Sequence, residues 1–116
     1  MLKLSVIIVS YNCKVYLDYC IQSVISALKN FHAEVIVIDN NSTDNTKDFI
    51  RSKGYNIKFI ESKINLGFSK ANNLAVKSAK GEYLFFLNPD TLIPENLFDP
   101  FFKEENDLNN MGILGF

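Results

Sequence analysis

The chain has 116 residues, of which 47% are hydrophobic and 22% charged, and a formal net charge of -1 at pH 7. That length fits one domain over residues 1–116, and the composition is that of an ordinary globular protein. Near-neutral charge without a basic stripe argues against a nucleic-acid partner, and no window approaches the roughly 18 apolar residues of a membrane span.

The opening "MLKLSVIIVSYN" carries an apolar run too short for a secretory signal, flanked by serines and lacking a small-residue cleavage site. "KLSVIIVS" (3–10) is a continuous β-branched run, the mark of a strand buried on both faces. "KVYLDYCIQSVISALKN" (14–30) follows. Its Leu17, Ile21, Val24, Ile25 and Leu28 recur at helical spacing. Cys13 and Cys20 lie seven apart along this helix. Seven residues rise about 10 Å, too far for a disulfide. Two free thiols fit a reducing compartment, so the expected location is cytoplasmic.

"AEVIVID" (33–39) reads as a second buried strand. "STDNTKDFIRSKG" (42–54) opens with capping residues and closes on Gly54, which predicts a short helix. "IKFIES" (57–62) is a third strand. "SKANNLAVKSAKG" (69–81) is a helix capped by Ser69 and stopped by Gly81, with Ala71, Leu74, Ala75 and Ser78 inward. "EYLFFL" (82–87) is the fourth strand. A short helical piece is expected near 95–106, and "MGILGF" (111–116) starts a fifth strand. Strands alternating with helices predict an α/β fold: a mostly parallel sheet flanked by helices, joined by right-handed crossovers.

In such sheets ligands bind beyond the carboxyl ends of the strands. Ser10, Tyr11 and Asn12 follow the first strand. Asp39, Asn40 and Asn41 end the second. Asn65, Leu66, Gly67 and Phe68 follow the third, and Asn88, Pro89 and Asp90 the fourth. Any one such cluster is ordinary turn chemistry. Four on one edge point to a ligand. The glycine-rich dinucleotide fingerprint and the P-loop are both absent.

"SVIIVSYN", "VIDNNSTDNT" and "NLGFSKANNLAVKSAKGEYLFFLNPDT" resemble the successive motifs of family 2 glycosyltransferases with the GT-A fold, nearest the rhamnosyltransferase-like and other surface-polysaccharide enzymes. The resemblance covers nearly the whole chain. It implies a UDP- or dTDP-sugar donor and inverting transfer to an acceptor hydroxyl, on a glycan or lipid-linked acceptor at the inner face of the membrane. Ser10, Tyr11 and Asn12 would line the nucleoside pocket, and Asp39 would accept hydrogen bonds from base or ribose. Asn41 and Asp44 share that loop without a firm role. The turn containing Asn65, Gly67 and Phe68 would bring backbone close to the nucleotide. Lys70 and Asn73, near the start of the third helix, would lie by the diphosphate, which a helix N-terminus favours. The family often has glycine near Lys70 and Ala71, so this chain departs from it there.

Asp90 would face a metal, with the stiff fourth strand fixing it in space. Pro89 holds Asn88 extended and ends the ladder. Relatives often carry Asp at both ends of this tripeptide; here the first is Asn88. One carboxylate fits a weak Mg²⁺ or Mn²⁺ site completed by diphosphate and water. The general base is not found: Glu104, Glu105 and Asp107 read as a solvated helix end, and relatives supply the base further on. The chain is therefore expected to be the donor-binding part of a longer enzyme, with a nucleotide-sugar-binding module lacking transfer activity as the second reading and a pure assembly domain as the third. An uncovered terminal strand would favour homo-oligomers. His32 reads as a surface residue away from the site.

Overall fold

The computed structural model describes residues 2–100 and the backbone of residues 113–115. In chain order the elements are β1 (Leu4–Ser10), α1 (Lys14–Leu28), β2 (Ala33–Asn40), α2 (Thr46–Ser52), β3 (Lys58–Ser62), α3 (Phe68–Ser78), β4 (Tyr83–Leu87) and β5 (Ile113–Gly115). The strands form one sheet in the order β3-β2-β1-β4-β5, and every pairing is parallel. The expected α/β architecture is therefore present.

Side-chain alternation sorts the strands onto two cores. Leu4, Val6 and Ile8 of β1, Val35 and Val37 of β2, and Tyr83, Phe85 and Leu87 of β4 face one side. There they pack on Leu17, Ile21, Val24 and Leu28 of α1 and Ile50 of α2. Ile7, Val9, Ile36 and Ile38 face the other side and meet Ala71 and Ala75 of α3. The two alanines let α3 lie close to the sheet. The result is three layers: α1 and α2, the sheet, and α3. Fully burying one such aliphatic side chain contributes about 1.5–3 kcal/mol, so the central strands hold the sheet flat against its helices. Phe98 closes the first core with its ring edge-on to Phe85, the centroids 5.1 Å apart.

Four local expectations change. α2 begins at Thr46, not near Ser42, after Asn45 in a left-handed conformation at φ 65°. The 42–45 stretch looks like a helix cap but its polar groups are used between loops. α3 begins at Phe68, with Gly67 preceding it and no side-chain cap, so Ser69 lies inside the helix. It ends at Ser78, with Ala79 already extended, so Gly81 does not stop it. Gly81 instead lets the chain pass against β1, where a Cβ would lie 2.5 Å from the Ser5 nitrogen. Of the helical piece expected near 95–106, residues 95–98 form a turn and residues 99–100 are helical; the stretch 101–106, with Glu104 and Glu105, and Asp107 beyond it, lie outside the described residues. β5 falls within the expected 111–116.

Candidate functional site

The carboxyl ends of β1 to β4 share one edge, because all pairings are parallel and in register. β2 ends on two polar residues, Asp39 and Asn40, which are 3% and 4% exposed. Alternation sends their side chains to opposite faces of the sheet. Asp39 follows Val35 and Val37 to the α1–α2 side, and Asn40 follows Ile36 and Ile38 to the α3 side.

On the first side the chain reverses at Asn41, whose φ of 66° is the left-handed region that asparagine tolerates. That turn brings Ser42 back onto Asp39. The Ser42 N–H donates to Asp39 Oδ2 at 3.2 Å and its hydroxyl donates to Oδ1. The same hydroxyl accepts the Asn12 N–H at 2.9 Å, and Asn12 Oδ1 accepts the Thr43 N–H at 2.7 Å. Asn12 is itself left-handed, at φ 49°. Asp44 accepts the Lys14 N–H and the Thr46 hydroxyl. Burial pushes the Asp44 carboxyl up. The bonds from Thr46, from the Lys14 N–H and from nearby backbone N–H groups outweigh it and hold the carboxyl below its ordinary value. The loops after β1 and β2 are thus interlocked through Asn12, Ser42 and Asp44.

On the second side the Asn40 amide nitrogen donates to Asn65 Oδ1 at 2.9 Å and to the Gly67 carbonyl at 3.4 Å. Its oxygen accepts the Leu66 N–H at 2.7 Å. Asn65 Oδ1 also accepts the Gly67 N–H at 2.8 Å. The turn that launches α3 is held to the end of β2 by one buried amide. Gly67 has φ 76° and open space where a side chain would project, so its backbone is accessible from the edge.

Asp90 lies beyond β4, on the other side of β1. Cys13, Tyr16, Asn88, Pro89 and Asp90 line an open cleft of ≈ 640 Å³ at the start of α1. Cys20 ties this segment to the helix: its thiol donates to the Asn88 carbonyl at 3.7 Å. Burial, with some help from the Asp90 charge, pushes the Cys20 thiol up to about 12, so it stays neutral. Leu87 pairs with Ile8, and Asp39 with Ser10. Asp39 ends β2 and Asp90 follows β4, so the two lie either side of β1 at the same edge of the sheet. Two strand spacings separate their strands, about 10 Å.

Ser10 is fully buried, with its hydroxyl 3.3 Å from Cys13 Sγ. Tyr11 and Phe68 are 50% and 60% exposed, leaving two aromatic faces at the edge. Lys70 and Asn73 are exposed on α3, and Asn73 lies in the second turn of the helix rather than the first. α3 packs across β1 and β2, and the turn that launches it is held to the end of β2, two strands from β4. Sequence reasoning gave no role to Asn40, Ser42 or Asp44 in shaping this edge. The available signal for Asn40 was parity: the residue after a face-directed carboxylate must point to the opposite face. His32 is exposed at the opposite end of the sheet, as expected.

Residues 5–115 match the family described as Glycosyl transferase family 2. The chain belongs to that family. Its GT-A-type fold agrees. The glycosyltransferase chain is 33% identical over 118 residues to the minor teichoic acid biosynthesis protein GgaB of Bacillus subtilis, covering 94% of this chain and 13% of that protein. It is 33% identical over 119 residues to the poly(ribitol-phosphate) beta-N-acetylglucosaminyltransferase TarP of Staphylococcus aureus, covering 99% of this chain and 36% of that protein. Among solved structures, S. aureus TarS 1-349 in complex with UDP-GlcNAc superposes with a TM-score of 0.80 at 28% identity, covering 91% of this chain and 32% of that one. The chain therefore spans between 13% and 36% of the length of these relatives. Among the described residues no helix is long and apolar enough to cross a membrane.

Proposed function

We propose that this chain is the nucleotide-sugar-binding part of an inverting glycosyltransferase that moves a sugar from a UDP- or dTDP-sugar to an acceptor hydroxyl during surface-polysaccharide synthesis. What supports the reading is that Asp39 ends β2 and Asp90 follows β4, either side of β1 at one edge of a parallel sheet. TarS, which shares the fold at 28% identity, is crystallised with UDP-GlcNAc, and TarP and GgaB are wall-polymer proteins by name. These likenesses support the donor and pathway assigned here. The acceptor in this reading is a glycan or lipid-linked hydroxyl presented at the inner face of the membrane.

Within that reading the nucleoside occupies the β2 side. Tyr11 and Phe68 offer exposed rings for the base, Asp39 accepts from base or ribose, and Ser10 and Asn12 shape the wall between. Ser42 already holds both Asp39 oxygens, so it orients the carboxylate; each oxygen retains a second lone-pair direction for a ligand N–H or O–H. The diphosphate extends toward Asp90. The N-terminus of α3, with Lys70, starts beside the end of β2, and in this reading its free N–H groups lie by the diphosphate.

The Mg²⁺ or Mn²⁺ ion that the fold family implies would be held at Asp90. Among the described residues no group of three or more His, Cys, Asp or Glu side chains gathers, so a preformed protein cage is absent there. One exposed carboxylate in an open cleft fits the alternative, an ion held by Asp90 and completed by diphosphate oxygens and water. Such an ion would neutralise charge on the departing diphosphate. What this chain's own residues do is bind and orient the donor and hold its diphosphate beside the β4 tip. The proton of the acceptor hydroxyl goes to a base not found among the described residues.

Calorimetric titration with UDP, dTDP, UDP-GlcNAc and dTDP-glucose, with and without MnCl₂, tests the assignment. Asp39→Ala should weaken every nucleotide, and Asp90→Ala should abolish the Mn²⁺ enhancement while leaving uridine binding intact. No binding by the parent chain would overturn the reading. A second reading is a binding module without transfer activity. Sugar release from UDP-GlcNAc by the chain without acceptor, or transfer by the longer protein alone, separates the two. β5 forms an edge of the described sheet, so pairing between copies is part of this proposal; a monomeric mass by light scattering at high concentration would remove it.

A further inference from the structure

We propose that Asn40 is a positioning residue that fixes the 65–67 turn against the nucleoside end of the donor and so sets which base the site accepts. The inference rests on the donor-binding reading above. Asn40 is buried, and every polar contact its amide makes is to this one turn: Asn65 Oδ1, the Gly67 carbonyl and the Leu66 N–H. Both amide hydrogens are taken by Asn65 and Gly67, and the oxygen accepts from Leu66, so the amide is committed to the turn. It therefore acts through the backbone it holds.

What it holds is open to the edge. Gly67 faces empty space at its missing side chain, and Phe68, the next residue, presents a 60% exposed ring. The turn is held to the end of β2, two strands from β4 and the Asp90 that follows it; in the donor-binding reading it meets the base. Base discrimination depends on fixed donors and acceptors, because an analogue then leaves a buried polar group unpaired. A turn free to move would re-pair with any base. The donor–acceptor pattern also explains why the position is an amide: two contacts need a donor and one needs an acceptor, which Asn supplies and Asp or a small apolar residue does not.

The test uses the whole chain as Asn40→Ala and Asn40→Asp, with Lys77→Ala, an exposed change on the last turn of α3, as control. Hydrogen exchange reads the turn without any ligand. The Leu66 and Gly67 amides should exchange at least about tenfold faster in both Asn40 variants, with Ile7 and Ile8 of β1 unchanged. Calorimetry with UDP, dTDP, CDP and GDP reads selectivity. The ratio of dissociation constants between the preferred nucleotide and the next should fall about tenfold toward one. A smaller folded fraction scales all four affinities together and leaves this ratio fixed, so a purely structural role cannot produce the shift. Unchanged exchange at Leu66 and Gly67, or an unchanged ratio in a variant whose turn exchanges fast, would overturn the proposal. A parent chain that binds none of the four nucleotides would overturn the donor reading itself, and that result appears before any variant is compared.

Discussion

Gly81→Ala isolates one physical reason for one residue. A methyl at this position would lie 2.5 Å from both the nitrogen and Oγ of Ser5 and 2.6 Å from the Leu4 carbonyl carbon. Two of those atoms belong to the backbone of β1, the central strand, which cannot yield without disturbing its pairing to β2 and β4. Overpacking of this kind costs about 1–3 kcal/mol. The Gly81 N–H also donates to Ser5 Oγ at 2.8 Å, and displacing that half-buried bond costs about 1 kcal/mol more. The sum is about 2–4 kcal/mol. A chain of 116 residues unfolds with an entropy of about 0.24 kcal/mol/K, so the melting temperature should fall by about 8–17 °C. Gly54→Ala is the comparison. Gly54 has φ 70° but nothing within 4 Å of a new methyl, so only the left-handed conformation is penalised, by about 1 kcal/mol or 4 °C. Thermal melts by circular dichroism measure both. If Gly81→Ala melts within about 2 °C of the parent, or no lower than Gly54→Ala, the close-approach argument is wrong.

Other outcomes follow from the loops. The Asp44 carboxyl is held below its ordinary value in the folded chain, so its contribution to stability is present above the unfolded value of about 4 and is lost as pH falls through the folded one. The stability difference between parent and Asp44→Asn should be constant near neutrality and shrink in acid; denaturant melts that show a constant gap down to about pH 2 would refute this. Iodoacetamide on the native chain should label half-exposed Cys13 and spare buried Cys20, whose thiol sits at about 12; peptide mass spectrometry showing equal labelling would contradict the packing around Asn88. Exchanging the polar pair at the end of β2, Asp39→Asn with Asn40→Asp, keeps composition and charge but reverses donors and acceptors on both faces. UDP binding should drop at least about tenfold, and affinity within twofold of the parent would show that neither network matters.

The fold was legible because its signals are long and redundant. The fully buried run of β1 and the near-continuous apolar run of β2 announce central parallel strands, and the stripe from Leu17 to Leu28 announces α1 against them. The local misreadings share one cause: residues with strong intrinsic preferences were recruited for contacts distant in sequence. Ser42, Thr43 and Asp44 have the composition of a helix cap, yet Ser42 serves Asp39, Thr43 serves Asn12 and Asp44 serves Lys14. Gly81 has the composition of a helix stop, yet α3 has already ended and the glycine is needed by Ser5. A single-sequence reading weighs such residues against their neighbours in the chain and cannot see a partner 30 or 76 positions away.

The site was legible to a different depth. That polar residues cluster after four strands follows from the sequence; how labour is divided among them does not, because it depends on which face each side chain takes. Once β2 is known to end at Asn40, alternation assigns its last two residues. Asp39 must meet the α1–α2 loops, where Ser42 offers two donors, and a carboxylate, acceptor only, is the group that satisfies both. Asn40 must meet the α3 side, where Asn65 Oδ1 and the Gly67 carbonyl need a donor and the Leu66 N–H needs an acceptor, and only an amide of this size does both. The order Asp then Asn is therefore the one order that closes both networks. At the end of β2 the buried side-chain polar atoms all have partners, and beyond β4 the Asp90 carboxylate lines an open cleft. If the proposed donor binds here, the paired end of β2 is the part that would read it by fixed geometry, and exposed Asp90 the part completed by the charge it brings.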